Sequence, residues 1–490
     1  MLNHLPILQV ILPLMAAPSA LFLARPRLIS TFTLTVCTLA FGISMLLWHR
    51  ISVLGPWSYA LGGWQAPWGI EYRIDALNAF LMVLVTAMAF VVILASRDSV
   101  EREIPLHRQG PFYILFLLAL AGLLGILATG DAFNLFVFLE ISSLASYALI
   151  ALGQDRRALW AAYQYLIMGT IGATFILIGV GLLYMMTGTL NMADLADRLP
   201  QVAYTKTVYT AFAFVLVGVC LKLALFPLHL WLPNAYAFAP SMVTTFLAAT
   251  ATKVAVYVLL RFVFTVYGFT FSFDHLPLQE IHLILGLVGV FAASLAAIYQ
   301  DNVKRLFAYS SVAQIGYMIL GFSVASHMGL VATLLHLFNH ALMKGALFLA
   351  LAAVVYRTGS AEMSHFAGLG RRMPWTMGAI VVGGLSLVGV PLTVGFVSKW
   401  YLVLAMLERG WWPVAVAVLL GSLLAVIYLW KVAEVAYFKG DERCEREEAP
   451  WSILGPTWLL VLANLYFGID TDFTLGAATL AADQLMGATP

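Results

Sequence analysis

The chain has 490 residues, of which 62% are hydrophobic and only 10% are charged, with a net charge of +2 at pH 7. Soluble domains carry about 25% charged residues, so this composition excludes a water-soluble globular enzyme. The apolar residues form repeated runs of about 20, the length that crosses a bilayer as a helix. Such runs also exclude a transmembrane barrel, whose strands alternate polar and apolar side chains. The sequence therefore predicts an all-α polytopic membrane protein.

About fourteen apolar segments follow one another along the chain, and we predict a transmembrane helix at each. Their residue ranges are 5–24, 28–48, 75–95, 111–129, 131–152, 161–187, 207–239, 241–260, 279–300, 305–325, 327–355, 374–408, 412–438 and 452–469. No basic residue precedes the first segment, so we interpret it as a membrane helix and not as a cleaved signal.

Segments seven and twelve are too long for one straight helix, and each contains a proline, Pro227 or Pro391. Proline lacks a backbone donor and clashes with the preceding turn, so we expect both helices to break there. Broken backbone at membrane depth is tolerated only where it is buried in protein or lines a wet cavity. Both breaks are therefore candidate site positions.

The basic residues predict the orientation of the bundle. The odd-numbered connections hold 15 of the 26 Lys and Arg residues, the other connections hold 6, and 5 lie inside the segments. Because cytoplasmic loops carry the excess of Lys and Arg, the odd-numbered connections are predicted to be cytoplasmic. We expect a multi-pass protein of the cell membrane with both termini on the outer face.

Two groups of five helices follow the first three, and each group has its broken helix in fourth place. Because five is odd, the second group enters the membrane from the opposite side, as in the inverted repeats of many ion-coupled transporters. The predicted parts are the N-terminal helices 1–3 (residues 1–110), a first five-helix repeat (111–260), a second, inverted repeat (279–438), and a cytoplasmic loop with helix 14 and a C-terminal tail (439–490).

Ionisable residues inside the spans are candidates for function, because a charge at the bilayer centre costs at least about 2.5 kcal/mol and usually marks an ion or proton pathway. Glu140 lies in the middle of segment five, and Lys222 lies five residues before Pro227. Glu140 alone could be a protonated carboxyl group bonded to a neighbouring helix. Paired with Lys222, it forms a proton switch, since a buried lysine changes its protonation readily.

Further cations follow in segment eight and in the second half of the chain. Lys253 lies about eight residues from the end of its segment, too deep for easy snorkelling. His336, His340 and Lys344 are spaced i, i+4, i+8, so they line one face of a helix, and histidine titrates near neutral pH as a relay requires. Lys399 follows the break at Pro391.

Other polar residues have simpler interpretations. Lys431 and Glu434 are expected to pair with each other at i, i+3. Asp75 and Asp131 precede segments at positions where an acid stabilises a helix N-terminus. His229 follows Pro227 and serves either the broken backbone or the hydration of a channel.

Six stretches around these residues resemble one known family. They are TGDAFNLFVFLE, LKLALFPLHLWLPNAYAFAP, TKVAVYVLLR, RLFAYSSVAQIGYMILG, HLFNHALMKGALFLA and PLTVGFVSKW. They resemble the proton-translocating antiporter-like membrane subunits shared by respiratory complex I and Mrp-type cation/proton antiporters. Within that family this sequence is most similar to the D subunit of the multisubunit Mrp antiporter, on the grounds of the motif GD-FNLFVFLE and the chain length. The A subunit is much longer, and the distal complex I subunit has a long lateral helix at its C-terminus.

The resemblance implies fourteen helices, two inverted five-helix repeats and a role in proton translocation for seven residues. It implies that Glu140 and Lys222 form the proton-input pair. Lys253, His336 and His340 would form a central hydrophilic axis. Lys399 would be the terminal exchange site, and Lys344 matches the motif with a less defined role. It also implies other Mrp-type subunits as partners in a hetero-oligomeric complex in the lipid bilayer, with protons and a monovalent cation such as Na⁺ as cargo.

We expect no catalytic residue, cofactor, metal site or nucleic-acid partner. Cys37, Cys220 and Cys444 lie far apart in the sequence, and no dinucleotide fingerprint or cysteine cluster for iron–sulfur ligation is present. The chain is therefore predicted to be an ion-transporter subunit and not an enzyme.

Three functions remain open from the sequence. The first is the proton path of a cation/proton antiporter. The second is the same path in a redox-driven complex, of the complex I (NADH-quinone oxidoreductase) or membrane-hydrogenase type, in which this chain is a non-redox subunit. The third is a scaffold that only holds partner subunits, although apolar residues would serve a scaffold better than buried charges.

Overall fold

The computed structural model describes residues 2–23, 25–440 and 445–487, so Cys444 lies outside the described residues. The first ten helices are Leu5–Ser19 (α1), Pro26–Leu54 (α2), Ala76–Glu103 (α3), Leu106–Ala128 (α4), Ala132–Ala151 (α5), Arg156–Thr187 (α6), Met192–Arg198 (α7), Lys206–Leu223 (α8), Trp231–Phe238 (α9) and Ser241–Leu260 (α10). The remaining nine are Leu278–Ile298 (α11), Val303–Ser323 (α12), His327–Thr358 (α13), Leu369–Arg372 (α14), Pro374–Val388 (α15), Val394–Glu408 (α16), Trp412–Phe438 (α17), Trp451–Ile469 (α18) and Asp472–Met486 (α19).

The described residues contain 13 helices that are long and apolar enough to cross a membrane. The fourteenth predicted crossing is divided between α15 and α16. Helix α8 likewise stops at Leu223, and the chain resumes a helix only at Trp231. The predicted all-α membrane fold and the two broken helices are confirmed, and in both cases proline lies in the non-helical segment.

Helix α13 is the centre of the bundle. Every residue from Gly329 to Val354 is buried, and α13 packs against α3, α10, α12, α15, α16, α18 and α19. Helices such as α6 and α17 bury only one face and leave apolar side chains exposed on the other, as expected for contact with lipid. The ionisable residues of α13 therefore lie in the protein interior and not at its lipid-facing surface.

The helix starts follow local sequence signals. Asp75 accepts a hydrogen bond from the backbone N–H of Asn78, whose side chain bonds back to the Asp75 N–H, so the two residues form a capping box at α3. Asp131 caps α5 by accepting from the Asn134 N–H. The predicted helix-capping positions of Asp75 and Asp131 are thus observed.

Two elements were not predicted. Strands β1 (Trp57–Ala60) and β2 (Glu71–Ile74) form an antiparallel hairpin between α2 and α3. The C-terminal tail forms α19, which packs on α3 and α13 through buried alanines, including Ala477, Ala478 and Ala481. Small side chains allow such close helix packing. The division of the chain into two inverted five-helix repeats stays a prediction.

Candidate functional site

Glu140 and Lys222 lie side by side between α5 and α8. The Lys222 ammonium Nζ is 3.5 Å from Oε1 of Glu140, and it donates a hydrogen bond of 2.8 Å to the Ser143 hydroxyl. The Lys222 side chain is 5% exposed and the Glu140 side chain 23%. The lysine therefore contacts two groups of α5 at once, one charged and one neutral, about one helical turn apart.

The break after α8 holds Lys222 in place. The helix ends in Ala224, whose φ of 60° takes the chain out of the helix. The freed carbonyl of Leu221 accepts a hydrogen bond of 3.0 Å from the Trp231 indole, and that indole stacks on Tyr165 with ring centroids 3.9 Å apart. Together with the Ala224 N–H, which also donates to this carbonyl, the indole fixes the backbone next to Lys222.

A small cavity separates Lys222 from α10. Its volume is about 30 Å³, and Lys222, Ser142, Ser143 and Ser146 line one side while α10 closes the other. A cavity of this size with several polar groups is large enough for a water molecule. Polar groups thus continue from Lys222 toward the helix that carries Lys253.

Lys253 is fully buried on α10. Its Nζ donates to the Ala248 carbonyl and to the Thr252 hydroxyl, the latter at 3.4 Å. No carboxylate lies within salt-bridge distance of Lys253 among the residues that the structure describes. Its charge is close enough to His336 and His340 of α13 to interact with both.

The three α13 residues share one face, as their spacing predicts. The rings of His336 and His340 lie parallel, with centroids 6.2 Å apart, and His336 Nδ1 forms a 2.9 Å hydrogen bond with the Ser398 hydroxyl. Both ring nitrogens of His340 and Nε2 of His336 are buried without a hydrogen-bond partner. Lys344 donates to the Phe307 carbonyl at 2.9 Å and to the Ser310 hydroxyl. Unpartnered imidazole nitrogens in the interior are sites where a proton or a water molecule binds.

Lys399 lies at the second break. Its Nζ donates to the last carbonyls of α15, those of Leu387 at 3.0 Å and Val388 at 2.8 Å, and to the Ser422 hydroxyl at 2.9 Å. A cation at a helix C-terminus is favourable because carbonyl dipoles point at it. The two breaks therefore differ: an indole caps the first, whereas the candidate lysine itself caps the second.

Tyr317 of α12 connects His336 with Lys399. The His336 ring lies 5.8 Å from the Tyr317 ring, and the Lys399 ammonium lies 4.9 Å from the centre of that same ring. Sequence reasoning missed Tyr317, because an aromatic residue in an apolar helix carries no charge signal. On the same helix, Ser310 contacts Lys344, and Oε1 of Gln314 is buried without a partner. No carboxylate of α12 takes the place that Glu140 has in α5.

The structure thus buries six of the seven candidate residues and leaves Glu140 partly exposed, and it does not join them in one unbroken chain of hydrogen bonds. Glu140 pairs with Lys222, the α13 stripe lies beside Lys253, and Tyr317 lies between the stripe and Lys399. His229 is buried in the first break, with Nδ1 unpartnered and its ring stacked on Phe226.

The predicted pairing of Lys431 with Glu434 is wrong. Lys431 instead donates to the final carbonyl groups after α11, those of Ile298 and Gln300, and pairs with Asp301 at 3.4 Å. Glu434 pairs with Lys439, also at 3.4 Å. The end of α11 provides carbonyl dipoles and a carboxylate that the spacing within α17 does not reveal.

A buried ion pair lies at the C-terminal end of α10. Arg261 Nη1 lies 2.8 Å from Oδ2 of Asp75, and Arg261 Nη2 donates to Oδ1 at 3.0 Å. Burial raises the pKa of Asp75, but the Arg261 charge and hydrogen bonds from Arg261 and the Asn78 backbone lower it, and the net pKa is below its usual value. Asp75 therefore both caps α3 and ties it to α10.

The sequence of this bundle matches one family model. The model describes the NADH:quinone oxidoreductase/Mrp antiporter transmembrane family and matches residues 129–425. The chain belongs to this family. The matched residues include every candidate position, from Glu140 to Lys399, and the expected family is confirmed.

Family members of two kinds are similar over the whole chain. The N subunit of the NADH-quinone oxidoreductase of Desulforudis audaxviator is 43% identical, with 96% of each chain covered. The D subunit of the Na⁺/H⁺ antiporter of Alkalihalophilus pseudofirmus is 30% identical, with 100% of this chain and 98% of the relative covered. The predicted likeness to the antiporter protein is confirmed, together with a likeness to a complex I protein at higher identity.

One chain of a solved structure has the same fold as this chain over almost the full length of both. It is a chain of the membrane-bound sulfane sulfur reductase, an archaeal respiratory membrane complex, with a TM-score of 0.90, 31% identity and coverage of 99% of this chain and 98% of that one. All three relatives are parts of multisubunit membrane assemblies. This chain is a transmembrane ion-transport subunit of the family and not itself an enzyme.

Proposed function

We propose that this chain translocates protons through the interior of a hetero-oligomeric membrane complex. The observation that carries the proposal is the Glu140–Lys222 ion pair at a helix break, followed by Lys253, His336, His340, Lys344 and Lys399 in the buried centre of the bundle. Six buried ionisable groups, with the partly buried Glu140 beside them, are expensive for a membrane protein, and proton relays are the established use of such groups.

The Glu140–Lys222 pair acts as the switch. While the ammonium faces Glu140, the opposite charge holds the proton on Lys222. Lys222 already donates to Ser143 at 2.8 Å, so when Glu140 moves away the ammonium keeps only a neutral acceptor and releases its proton more easily. The serine-lined cavity beside Lys222 leads the proton toward Lys253.

The axis on α10 and α13 carries the proton across the centre. His336 and His340 each have an unpartnered ring nitrogen and therefore accept a proton without breaking an existing hydrogen bond. When Lys253 or Lys344 carries a proton, its positive charge repels a second proton onward. Lys399, near His336 through Ser398 and Tyr317, is the terminal exchange site.

The reaction that drives this path is, in our proposal, exchange of protons against a monovalent cation such as Na⁺, with other Mrp-type subunits as partners. A relative named as part of a Na⁺/H⁺ antiporter covers the whole chain. The second candidate is a redox-driven complex, which is favoured by the 43% identity to a component of an NADH-quinone oxidoreductase. The outward-facing termini are part of the same proposal and are supported by the distribution of basic residues. The two inverted repeats are also part of it and are supported by the two broken helices in matching places.

The test is proton flux in inverted membrane vesicles from a host that lacks its own antiporters and expresses the intact operon. A pH-sensitive dye reports the response to added Na⁺, K⁺ or Li⁺ and, separately, to a reductant. Lys222→Ala is compared with Lys206→Ala, an exposed lysine at the other end of the same helix α8. We expect Lys222→Ala to abolish the flux with the complex assembled, and Lys206→Ala to preserve it.

The driving force decides between the two candidates. A cation-dependent signal that Lys222→Ala removes supports the antiporter, and a signal that requires the reductant supports the redox-driven complex. Full flux in an assembled Lys222→Ala complex contradicts proton translocation by this subunit and supports a scaffold role.

A further inference from the structure

A second polar site lies outside the candidate axis, at the end of the bundle that carries most of the basic residues. It is a cavity of about 260 Å³, which we term the seam cavity. Its walls come from both groups of five helices: residues 153–157 and 237–240 from the first, and residues 302–304 and 359–362 from the second, with Glu103 at the end of α3. This volume holds several water molecules, each of which takes about 30 Å³ in the liquid.

Lys304 is the buried cation of the seam cavity. It is 4% exposed although it belongs to the first turn of α12, and its Nζ donates to the Ala239 carbonyl at 3.2 Å. No carboxylate lies within salt-bridge distance of Lys304 in the described part of the chain. Its ammonium thus has donors left over, and the cavity is the open space that faces it.

Glu103 is the partly buried anion of the same cavity. Its Oε2 accepts hydrogen bonds from the Ser241 N–H at 2.9 Å and the Ser241 hydroxyl at 3.0 Å, and its Oε1 accepts from Ser99 at 2.7 Å. The carboxylate therefore lies at the N-terminus of α10, the helix that carries Lys253. The charges of Glu103 and Lys304 interact across the cavity.

Helix α12 connects the seam cavity with the axis. Lys344 of α13 donates to the carbonyl of Phe307, which follows Lys304 by three residues, a rise of about 4.5 Å along the helix. Lys344 also donates to Ser310, six residues and about 9 Å from Lys304. A proton that reaches Lys304 is thus within two helical turns of the α13 stripe.

We propose that the seam cavity is the water-filled mouth through which the axis exchanges protons with the compartment at the basic face, with Glu103 and Lys304 as the first proton carriers. The ligand is a proton carried by water and not a metal cation, because the three carboxylates of the wall, those of Glu103, Asp155 and Glu362, form no cluster among the described residues that could hold a metal ion, and Asp155 is paired with Arg157. The inference rests on the proposed proton translocation and adds the place where the path opens.

The experiment blocks the seam cavity by chemical labelling after the complex has assembled. Two serines are changed to cysteine, one at a time, in a Cys444→Ser background. Ser360 lies in the cavity wall, whereas Ser364 is exposed, four residues further along the chain and outside the wall. The other two native cysteines, Cys37 and Cys220, are buried. Vesicles are treated at the basic face with a membrane-impermeant sulfonatoethyl methanethiosulfonate, which forms a mixed disulfide with the cysteine. We expect labelled Ser360→Cys to lose at least five-fold in proton flux and to recover it after reduction, while labelled Ser364→Cys keeps its flux.

A second pair of variants needs no labelling. Glu103→Gln retains hydrogen-bond acceptors for Ser241 but removes the charge, and we expect a three- to ten-fold lower flux. Glu101→Gln, two residues away on α3 and exposed, should leave the flux unchanged. Full proton flux in both labelled Ser360→Cys and Glu103→Gln overturns the proposal that the seam cavity is the proton mouth, whether or not Lys222→Ala is inactive. Full flux in Lys222→Ala overturns the proposed function itself, so the two failures are distinguishable.

Discussion

Glu140→Gln and Glu140→Asp test the switch quantitatively. At 3.5 Å, and with an effective dielectric constant of about 20, the attraction between Glu140 and Lys222 is about 5 kcal/mol. Glutamine removes all of this attraction and keeps the side-chain size. Aspartate is shorter by one carbon–carbon bond of about 1.5 Å, so at about 5 Å the attraction falls to about 3 kcal/mol.

Before rounding, the two attractions are about 4.7 and about 3.3 kcal/mol, so they differ by about 1.4 kcal/mol, which corresponds to a ten-fold change in an equilibrium. We therefore expect Glu140→Asp to transport about ten-fold more slowly than the wild type, and Glu140→Gln to fall below detection. The assay is dye-reported proton flux in vesicles, divided by the amount of assembled complex from native gels. Equal rates in the aspartate and glutamine variants, or more than half of the wild-type rate in Glu140→Gln, would refute the reasoning.

Two further predictions concern contacts around the axis. Asp75→Asn leaves Arg261 buried without its partner and should destabilise the complex by about 3–5 kcal/mol, seen as a lower melting temperature in detergent. Because the pKa of Asp75 is lowered in the folded protein, the ion pair stabilises the wild type fully above the unfolded pKa of about 3.9 and less as the pH falls through the folded pKa. Between pH 6 and pH 3 the melting temperature should therefore depend less on pH in Asp75→Asn than in the wild type. Equal slopes of melting temperature against pH contradict this. Gly389 has a φ of 95°, and a Cβ there would lie 3.0 Å from Cδ of Lys399, so Gly389→Ala should cost about 1–2 kcal/mol and lower proton flux. Gly378→Ala, in helical backbone with only ordinary contacts at 3.7 Å, is the control; equal flux in the two variants contradicts a role of the break geometry.

Several features of the site follow from local sequence alone. Pro227 and Pro391 each interrupt an apolar segment that is too long for one straight helix, and so both breaks were predictable. The stripe of His336, His340 and Lys344 follows from the helical repeat, and Glu140 and Lys222 stand out as charges among apolar neighbours. In each case the signal lies within one helix or at one helix end.

Other features depend on which helices meet. Lys304 would be expected at the surface because it lies at a helix start, yet the segment around Ala239 from the other five-helix group covers it. Lys431 finds its partner Asp301 in a helix connection 130 residues away, which overrides the expected pairing within α17. Tyr317 gains its position only from the packing of α12 between α13 and α16. Tertiary contacts of this kind leave no periodic trace in the sequence.

The most direct test of the account is the proton flux of Lys253→Met in assembled complex. Lys253 is fully buried, and its hydrogen bonds go to a carbonyl and a hydroxyl, so a methionine of similar length fits the apolar interior without leaving a charge unpaired. We predict normal assembly and at least a ten-fold loss of proton flux, whether a cation or a reductant drives it. An assembled Lys253→Met complex with wild-type flux would contradict proton movement along this axis.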